Sequence, residues 1–392
     1  MIGVIADDLT GAAELGAIGL RLGLRAEILL RPFNPHRTSK LRTKSATPDL
    51  LCLDTDSRFC SAAEASRRAA AAARFLRKAG ATFIYKKTDS VLRGQVTAEL
   101  QAIMRELDLK LALLVPANPS LGRTIRDGHY FIHGKPIHKT DFARDPAHPR
   151  KTSLVTGLLH KSKGSPVFVG HPDSPVPDSG ILIGNAAQPM DLQQWAILTA
   201  STILPAGGAE FFAALLAGPN HPRPRPRSRS RPRKLKSHRS TELFICGSTS
   251  QSTHDFLSTQ RQFGTPLFSL PPNFAKGTRL TVSSAGQIAA AATAALRSHH
   301  RVVLHVGLPL IRRPSLAKTL SSQLVRIAVL ILKHARVEHI FVEGGATAVE
   351  LVRAMRLRRL TVLRELAPGV ATLAVNSNLF LTVKPGSYHW PL

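Results

Sequence analysis

Acidic residues are scarce in this chain. Only 25 Asp and Glu stand against 53 Lys and Arg in 392 residues, a formal charge of +28. Such an excess predicts attraction to polyanions: nucleic acid, an anionic membrane surface or phosphorylated metabolites. Aromatics are also few, at 5%, while Ala and Leu abound, as in helix-rich α/β proteins. Cys52, Cys60 and Cys246 form no CxxC pair and cannot all bridge one another, which fits a reducing compartment. No apolar run reaches bilayer-spanning length; the longest, near Ile327 to Leu332, stops at Lys333. A basic region leading into a signal-peptide core is missing, and Asp7 and Asp8 come too early for one. These absences together set the expectation of a cytoplasmic protein without a membrane partner.

What remains is a composition with 43% hydrophobic and 20% charged residues, ordinary for a globular protein and long enough for two or more cores. Short apolar runs alternate with longer helical patterns, the signature of parallel strands joined by crossover helices. Strands are expected at 2–6, 25–30, 50–54, 82–86, 111–116 and 167–170, with helices at 12–22, 62–79 and 95–107 between them. A second series has strands at 243–247, 266–270, 302–306, 339–343 and 379–384, with helices at 252–263, 285–299, 314–334 and 347–355. Between the two lies PNHPRPRPRSRSRPRKLKSHRS, Pro219 to Ser240, with nine Lys/Arg and no acid. Alternating proline and like-charge repulsion prevent this segment from packing a core. The predicted fold is therefore α/β with two domains, 1–218 and 241–392, each a mainly parallel sheet flanked by helices. Residues 219–240 form a basic linker.

Several strand ends carry chemistry. ADDLTGA, Ala6 to Ala12, puts two adjacent carboxylates where open α/β sheets bind ligands. Asp7 and Asp8 can orient a hydroxyl, accept its proton or meet a metal; alternatively Asp8 or Thr10 only caps the following helix. KKTDSVLRG, Lys86 to Gly94, again follows a strand. Arg93 is suited to clamp a carboxylate or phosphate, Lys87 to act as a point charge, and Asp89 to orient or deprotonate a hydroxyl. DTDSR, Asp54 to Arg58, ends a third strand. A long polar stretch from Asn118 to Pro146 holds His129, His133 and His138, whose spacing matches no known zinc site.

The second half offers Gly247-Ser248-Thr249-Ser250, Gly344-Gly345-Ala346-Thr347 and Lys384-Pro385-Gly386-Ser387. Gly/Ser turns at strand ends can cradle phosphates through backbone amides. None is a Walker A loop or GxGxxG, yet three in one α/β domain point to a nucleotide site.

In their order along the chain these motifs resemble the four-carbon acid sugar kinase family, which includes D-erythronate, threonate and 3-oxo-tetronate kinases. ADDLTGA, DTDSR, KTDSVLRG, the GRT…DGHYFIHGKPIHKT…RDP run, CGSTS, VEGGATA, APGV and KPGSY are similar to its motifs. The resemblance implies an acid-sugar-binding domain followed by a nucleotide-binding domain. It further implies transfer of a phosphoryl group from ATP, with Mg2+, to a hydroxyl of a four-carbon sugar acid in the cleft between them. Carried across, the substrate residues are Asp7, Asp8, Ser57, Arg58, Asp89, Arg93, Arg123 and Thr124. The nucleotide residues are Ser248, Gly344, Gly345, Thr347 and Gly386. Arg93, helped by Arg58, would bind the substrate carboxylate, and Asp7, Asp8 or Asp89 would orient the hydroxyl and take its proton, with Asp89 and then Asp8 preferred; a metal-binding residue is not singled out.

Two departures stand out. The family's Gly-Gly turn carries an acid next, where this chain has Ala346; that motivates the alternative of a catalytically impaired sugar-acid-binding paralogue. The basic linker and the charge motivate another, a nucleic-acid-binding protein on a kinase-like scaffold, although the segment lacks interleaved aromatics for base stacking.

Overall fold

The structure is a computed structural model that describes residues 1–31, 33, 47–145, 148–159, 165–218, 240–272, 281–307, 314–386 and 388–391. The chain divides into two units, 1–227 and 228–392. The basic segment anticipated at 219–240 lies, apart from Ser240, outside the described residues.

The first unit runs β1 Ile2–Ala6, α1 Leu9–Arg21, β2 Ala26–Leu30, β3 Leu50–Asp54, α2 Ala62–Lys78, β4 Phe83–Lys87, α3 Val96–Leu107 and β5 Leu111–Val115. It continues with β6 Arg123–Arg126, β7 His129–Ile132, β8 Lys135–Pro136, α4 Val155–Leu158, β9 Val167–Gly170, β10 Gly180–Gly184, α5 Pro189–Leu198, β11 Ile203–Gly207 and α6 Ala209–Ala217. Its main sheet has the order β2-β3-β1-β4-β11-β5-β10-β9, and every pairing in it is parallel. Both faces are therefore covered and the strands read as apolar runs. Helix α2 shows how sequence sets the packing. Its alanines at 65, 69, 72 and 73 are fully buried, and their small side chains let the helix lie close on α3. The connection leaving β1 goes to β2 on one side, and β4 is added on the other. That reversal marks a crevice at the carboxyl ends of β3, β1 and β4.

Two features of this unit differ from the sequence expectation. Strands β10 and β11 with helices α5 and α6 fill 180–217, where no strand or helix was assigned. GILIG is too short and glycine-flanked to show a period, and ILPAG contains a proline that argues against a strand. The structure accommodates Pro205 because β11 pairs fully with β5 but with β4 only at Ala206 and Gly207. The stretch taken as a long loop after β5 is a three-stranded antiparallel sheet, β6-β7-β8. Its turns are set by positive-φ residues at Asp127, Gly128, His133 and Gly134.

The second unit runs β12 Glu242–Cys246, α7 Gln251–Gln262, β13 Leu267–Ser269, α8 Val282–His299, β14 Arg301–His305, α9 Pro314–His334, β15 His339–Glu343 and α10 Gly345–Ala354. It ends with β16 Arg359–Ala367, β17 Val370–Ala374 and β18 Phe380–Lys384. The order is β13-β14-β12-β15-β18-β17-β16. The first five strands are parallel, and β16 and β17 add an antiparallel margin that was not anticipated. Its aromatic residues are concentrated at one point: Phe244 stacks on Phe341 at 4.2 Å and meets Trp390 edge-on at 5.6 Å, with Phe256 at 5.3 Å.

Truncating the centre of that cluster removes ring packing on three sides. Phe244→Ala is expected to destabilise the second unit by about 3–5 kcal/mol. Urea unfolding followed through Trp390 fluorescence in a Trp195→Phe background measures it.

Candidate active site

The carboxyl ends of β1, β3 and β4 each deliver a charged group into the first unit's crevice. Asp7 follows β1 and is 2% exposed. Arg58, four residues past β3, donates from Nε to Asp7 Oδ2 at 2.7 Å and from Nη2 to Asp7 Oδ1 at 3.0 Å. Its Nη1 donates to Asp8 Oδ2 at 2.7 Å. One guanidinium thus spans both carboxylates, which is why two like charges can sit side by side. The backbone helps: Ser57 and Arg58 N–H groups both donate to the Asp7 carbonyl.

Asp8 also caps α1, accepting from Gly11 N at 2.8 Å and from the Thr10 hydroxyl at 2.6 Å. The capping reading of ADDLTGA is therefore realised in Asp8, which at the same time meets Arg58 in the crevice. Gly11 is there for packing: a Cβ on it would lie 2.9 Å from Asp8 Oδ1 and 3.3 Å from Lys87 Cγ.

Asp89 follows β4 and is held by Arg93, whose Nε and Nη2 donate to it at 2.8–3.0 Å. Arg93 Nη1 reaches on to Asp145 at 3.1 Å. Arg123, at the start of β6, donates to Ser90 Oγ. The Phe142 ring sits between Arg93 and Arg123, 6.0 Å from each guanidinium carbon. Thr124 is buried beside Arg123 in β6.

Electrostatics follow from these pairs. Burial works to raise the Asp7 and Asp89 pKa values, but the arginine charges and hydrogen bonds outweigh it, and both lie below the ordinary carboxylate range. Asp54, at the end of β3, is not held by an arginine in this way. Burial and the neighbouring Asp56, Asp8 and Asp7 push it well above that range. Lys87 is buried against Glu14 at 3.2 Å, and Glu14, Asp8 and Asp7 keep its pKa high despite burial.

Ser57 is the predicted substrate residue that the structure turns elsewhere. It is fully buried, hydrogen-bonded to Glu99 and 2.7 Å from the Thr55 hydroxyl. Glu99 in turn pairs with Lys86 at 3.0 Å, and both are buried. Asp8, Arg58, Asp89, Arg93 and Arg123 come together above this layer, and Ser57 belongs to the layer itself.

In the second unit the three Gly/Ser turns meet at the carboxyl ends of β12, β15 and β18. Ser248 Oγ donates to the Gly386 carbonyl at 3.3 Å, and Ser250 Oγ does so at 2.7 Å while capping α7. A Cβ on Gly386 would lie 3.2 Å from Ser248 Oγ and 3.9 Å from the Gly344 Cα. Gly344 has φ +93 and opens α10, whose first residue is Gly345. Thr347 points inward instead: it is buried, with its hydroxyl 3.1 Å from Ser321 Oγ. Beneath the turns, Glu343 pairs with Lys384 at 3.3 Å and accepts from Trp390 Nε1 at 3.0 Å.

Residues 2–175 match a family model described as a sugar-binding N-terminal domain, and residues 243–388 match one described as a nucleotide-binding C-terminal domain. The chain belongs to the four-carbon acid sugar kinase family. A D-threonate kinase of Salmonella typhimurium is 34% identical over 166 residues, 42% of this chain and 37% of that protein. A D-erythronate kinase of Heliobacterium modesticaldum is 35% identical over 169 residues, again 42% and 37%. These two alignments thus span little more than a third of each relative. A 3-oxo-tetronate kinase of Pseudomonas fluorescens aligns over 99% of this chain and 94% of its own length at 24% identity. Two solved structures share the fold at 19% identity. One, from Salmonella typhimurium LT2, has TM-score 0.76 over 99% of this chain and 96% of its own; the other, from Haemophilus influenzae, has 0.67 over 98% and 96%.

The cofactors that this family implies fit the residues unequally. The cradle of Ser248, Gly344 and Gly386 fits nucleotide phosphates, since a side chain at Gly386 would fill it. A resident Mg2+ does not fit the first unit's acids as they stand. Both oxygens of Asp7 and of Asp89 accept from guanidinium groups, and those of Asp8 accept from Gly11, Thr10 and Arg58. Among the described residues no group of three His, Cys, Asp or Glu side chains is disposed to hold a metal. No helix of the described residues is long and apolar enough to cross a membrane.

Sequence reasoning missed Lys86, Glu99, Asp145, Glu343 and Lys384 as parts of these sites. The two lysines carried a signal, because a lysine inside an apolar strand must find a buried partner. The identity of the partner depends on tertiary contacts.

Arg58→Met leaves Asp7 buried without its counter-charge and is expected to cost about 3–5 kcal/mol at pH 7. The pH profiles separate the two proteins. In the parent, Asp7 and Asp89 have lowered pKa values, so their stabilisation is full above the unfolded value of about 3.9 and falls away below it. In the variant Asp7 is destabilising when ionised, so stability recovers as pH falls from 7 towards 4. Urea midpoints across that range test the difference: these acids cost the parent nothing until the pH falls below about 3.9, whereas the variant gains stability.

Proposed function

We propose that the protein transfers the γ-phosphoryl group of ATP to a hydroxyl of a four-carbon sugar acid. The observation that carries this reading is the convergence of Asp7, Asp8, Arg58, Asp89 and Arg93 at adjacent strand ends of the sugar-binding domain. The cradle of Ser248, Gly344 and Gly386 in the nucleotide-binding domain supplies the second half of the reading. Phosphoryl transfer depends mainly on positioning and charge neutralisation, and this site is built for both. Arginines fixed by carboxylates lose little freedom on binding an anion, and their remaining N–H groups are free to meet a substrate carboxylate.

Among the acids, Asp89 and Asp8 are the candidates to orient the accepting hydroxyl. The lowered pKa of Asp89 makes it a weak proton acceptor, so its main contribution is a directed hydrogen bond, with proton transfer late in a loose transition state. Mg2+ would belong to the nucleotide substrate, where it would supply charge neutralisation of the phosphates. The kinases of D-threonate, D-erythronate and 3-oxo-tetronate among the relatives define the acceptors to try first.

ADP release across a panel of four-carbon sugar acids tests the proposal. One or more acids should support turnover, and Arg93→Ala should lower kcat/KM by about 100-fold, the scale expected when a charge-assisted hydrogen bond is removed and its partner is left unpaired. Asp8→Asn should lower it less, because the amide keeps the cap through its oxygen. A folded protein that binds ATP and turns over no acid of the panel would contradict the assignment.

A further inference from the structure

A third buried guanidinium, that of Arg150, is near enough to Arg93 to feel its charge, and its surroundings differ from those of the first two. Arg58 and Arg93 are each held by two carboxylates, and these acids raise their pKa values against the effect of burial. Arg150 is only 6% exposed, yet among the described residues no carboxylate lies within ion-pair distance of it. Its side chain donates from Nη1 to the Leu158 carbonyl at 3.1 Å, and Nε is buried without a partner. Burial lowers its pKa, and the like charge of Arg93 adds to that against Asp89 and Asp145. A buried guanidinium short of partners is costly, and an arriving anion removes the cost.

The backbone ties this residue to the candidate acceptor site. The Arg150 N–H donates to the Phe142 carbonyl at 2.9 Å, and the Phe142 ring is the one lying between Arg93 and Arg123. Asp145 is the second anchor of Arg93 and accepts from the His148 N–H at 2.8 Å. The His148 ring stacks on Phe59 at 5.8 Å. Phe59 follows Arg58 directly and is 69% exposed, so the two rings form one wall beside the paired arginines.

We infer that Arg150 is a specificity-determining residue that receives the anionic group of the acceptor, next to Arg93. The inference rests on the sugar-acid reading for the identity of the acceptor, and on Arg150's own surroundings for the anion. It divides the labour among the arginines. Arg58 and Arg93, neutralised by protein acids, shape the site and offer only their remaining N–H groups, whereas Arg150 has its charge available. Arg150 also serves the fold by donating to the carboxyl end of α4, and the test separates that role from anion binding.

Two variants of the full chain are compared, Arg150→Met, which keeps the apolar stem, and Arg150→Lys, which keeps the charge without the fork. With the acid that the parent turns over, Arg150→Met should raise its KM about 10–100-fold while kcat changes less than about threefold. KM for ATP should not move, and Arg150→Lys should fall between. Thermal shifts provide a readout that needs no turnover: D-erythronate should raise the parent's melting temperature, erythritol (the uncharged polyol) should not, and the shift should vanish in Arg150→Met. An unchanged acid KM, or an erythronate shift that survives in Arg150→Met, overturns the inference. So does a parent that shows no erythronate shift, or an equal loss for charged and uncharged ligands. If the parent turns over no acid but its erythronate shift is lost in Arg150→Met, the kinase reading fails and the anion site stands.

Discussion

One guanidinium bridging two carboxylates is the interaction on which the first domain's site depends. Arg58 reaches from the end of β3 to both Asp7 and Asp8 at the end of β1. Without it the two acids repel each other in a buried crevice, where neither has enough water to screen the other. With it, Asp7 is ionised, Asp8 is free to cap α1, and the ends of two strands are tied in register. Asp89 and Arg93 repeat the device on β4, and Asp145 extends it to the segment that carries Phe142, His148 and Arg150. The site is therefore a chain of alternating charges laid across strand ends, and each member is positioned by the next.

Both domains set a buried Lys–Glu pair beneath their strand ends. Lys86 and Glu99 lie under the Asp7–Arg58 layer, with Ser57 joined to Glu99. Glu343 and Lys384 lie under the glycine turns, joined to Trp390 and Thr253. Burial of such pairs is expensive, and their use is conformational: a lysine that must stay on its glutamate fixes the strand end that bears it. In each domain that strand end also leads into a candidate site residue, Asp89 past Lys86 and Gly386 past Lys384. Rigid support of this kind suits a reaction whose rate depends on positioning.

Much of this was legible in the sequence, for physical reasons that differ between regions. The parallel strands β1, β3, β5, β12 and β15 announce themselves as short apolar runs, and acids or glycines follow several of them at the edge that carries the candidate sites. ADDLTGA and KTDSVLRG could be placed at the site, but which acid meets which arginine could not, because Asp7 and Arg58 are brought together only by β1–β3 pairing. Ser57 was misdirected for a related reason. Its neighbour Arg58 faces the crevice, and a side chain one residue earlier in an irregular turn has no period from which its direction could be read. Strand β11 was hidden by Pro205, and β6-β7-β8 by polar, glycine-rich composition that reads as a loop. Arg150 gave no signal at all, since a guanidinium short of partners is recognisable only from its surroundings.

The central claim is that Arg58 and Asp7 act as one unit. A double-mutant cycle of Arg58→Met and Asp7→Asn measures this directly, using urea unfolding followed through Trp195 in a Trp390→Phe background. The account predicts strong non-additivity, with the double variant more stable than the sum of the single effects by about 1.5–3 kcal/mol. Additivity within about 0.5 kcal/mol would mean that the two residues do not depend on each other and would contradict it.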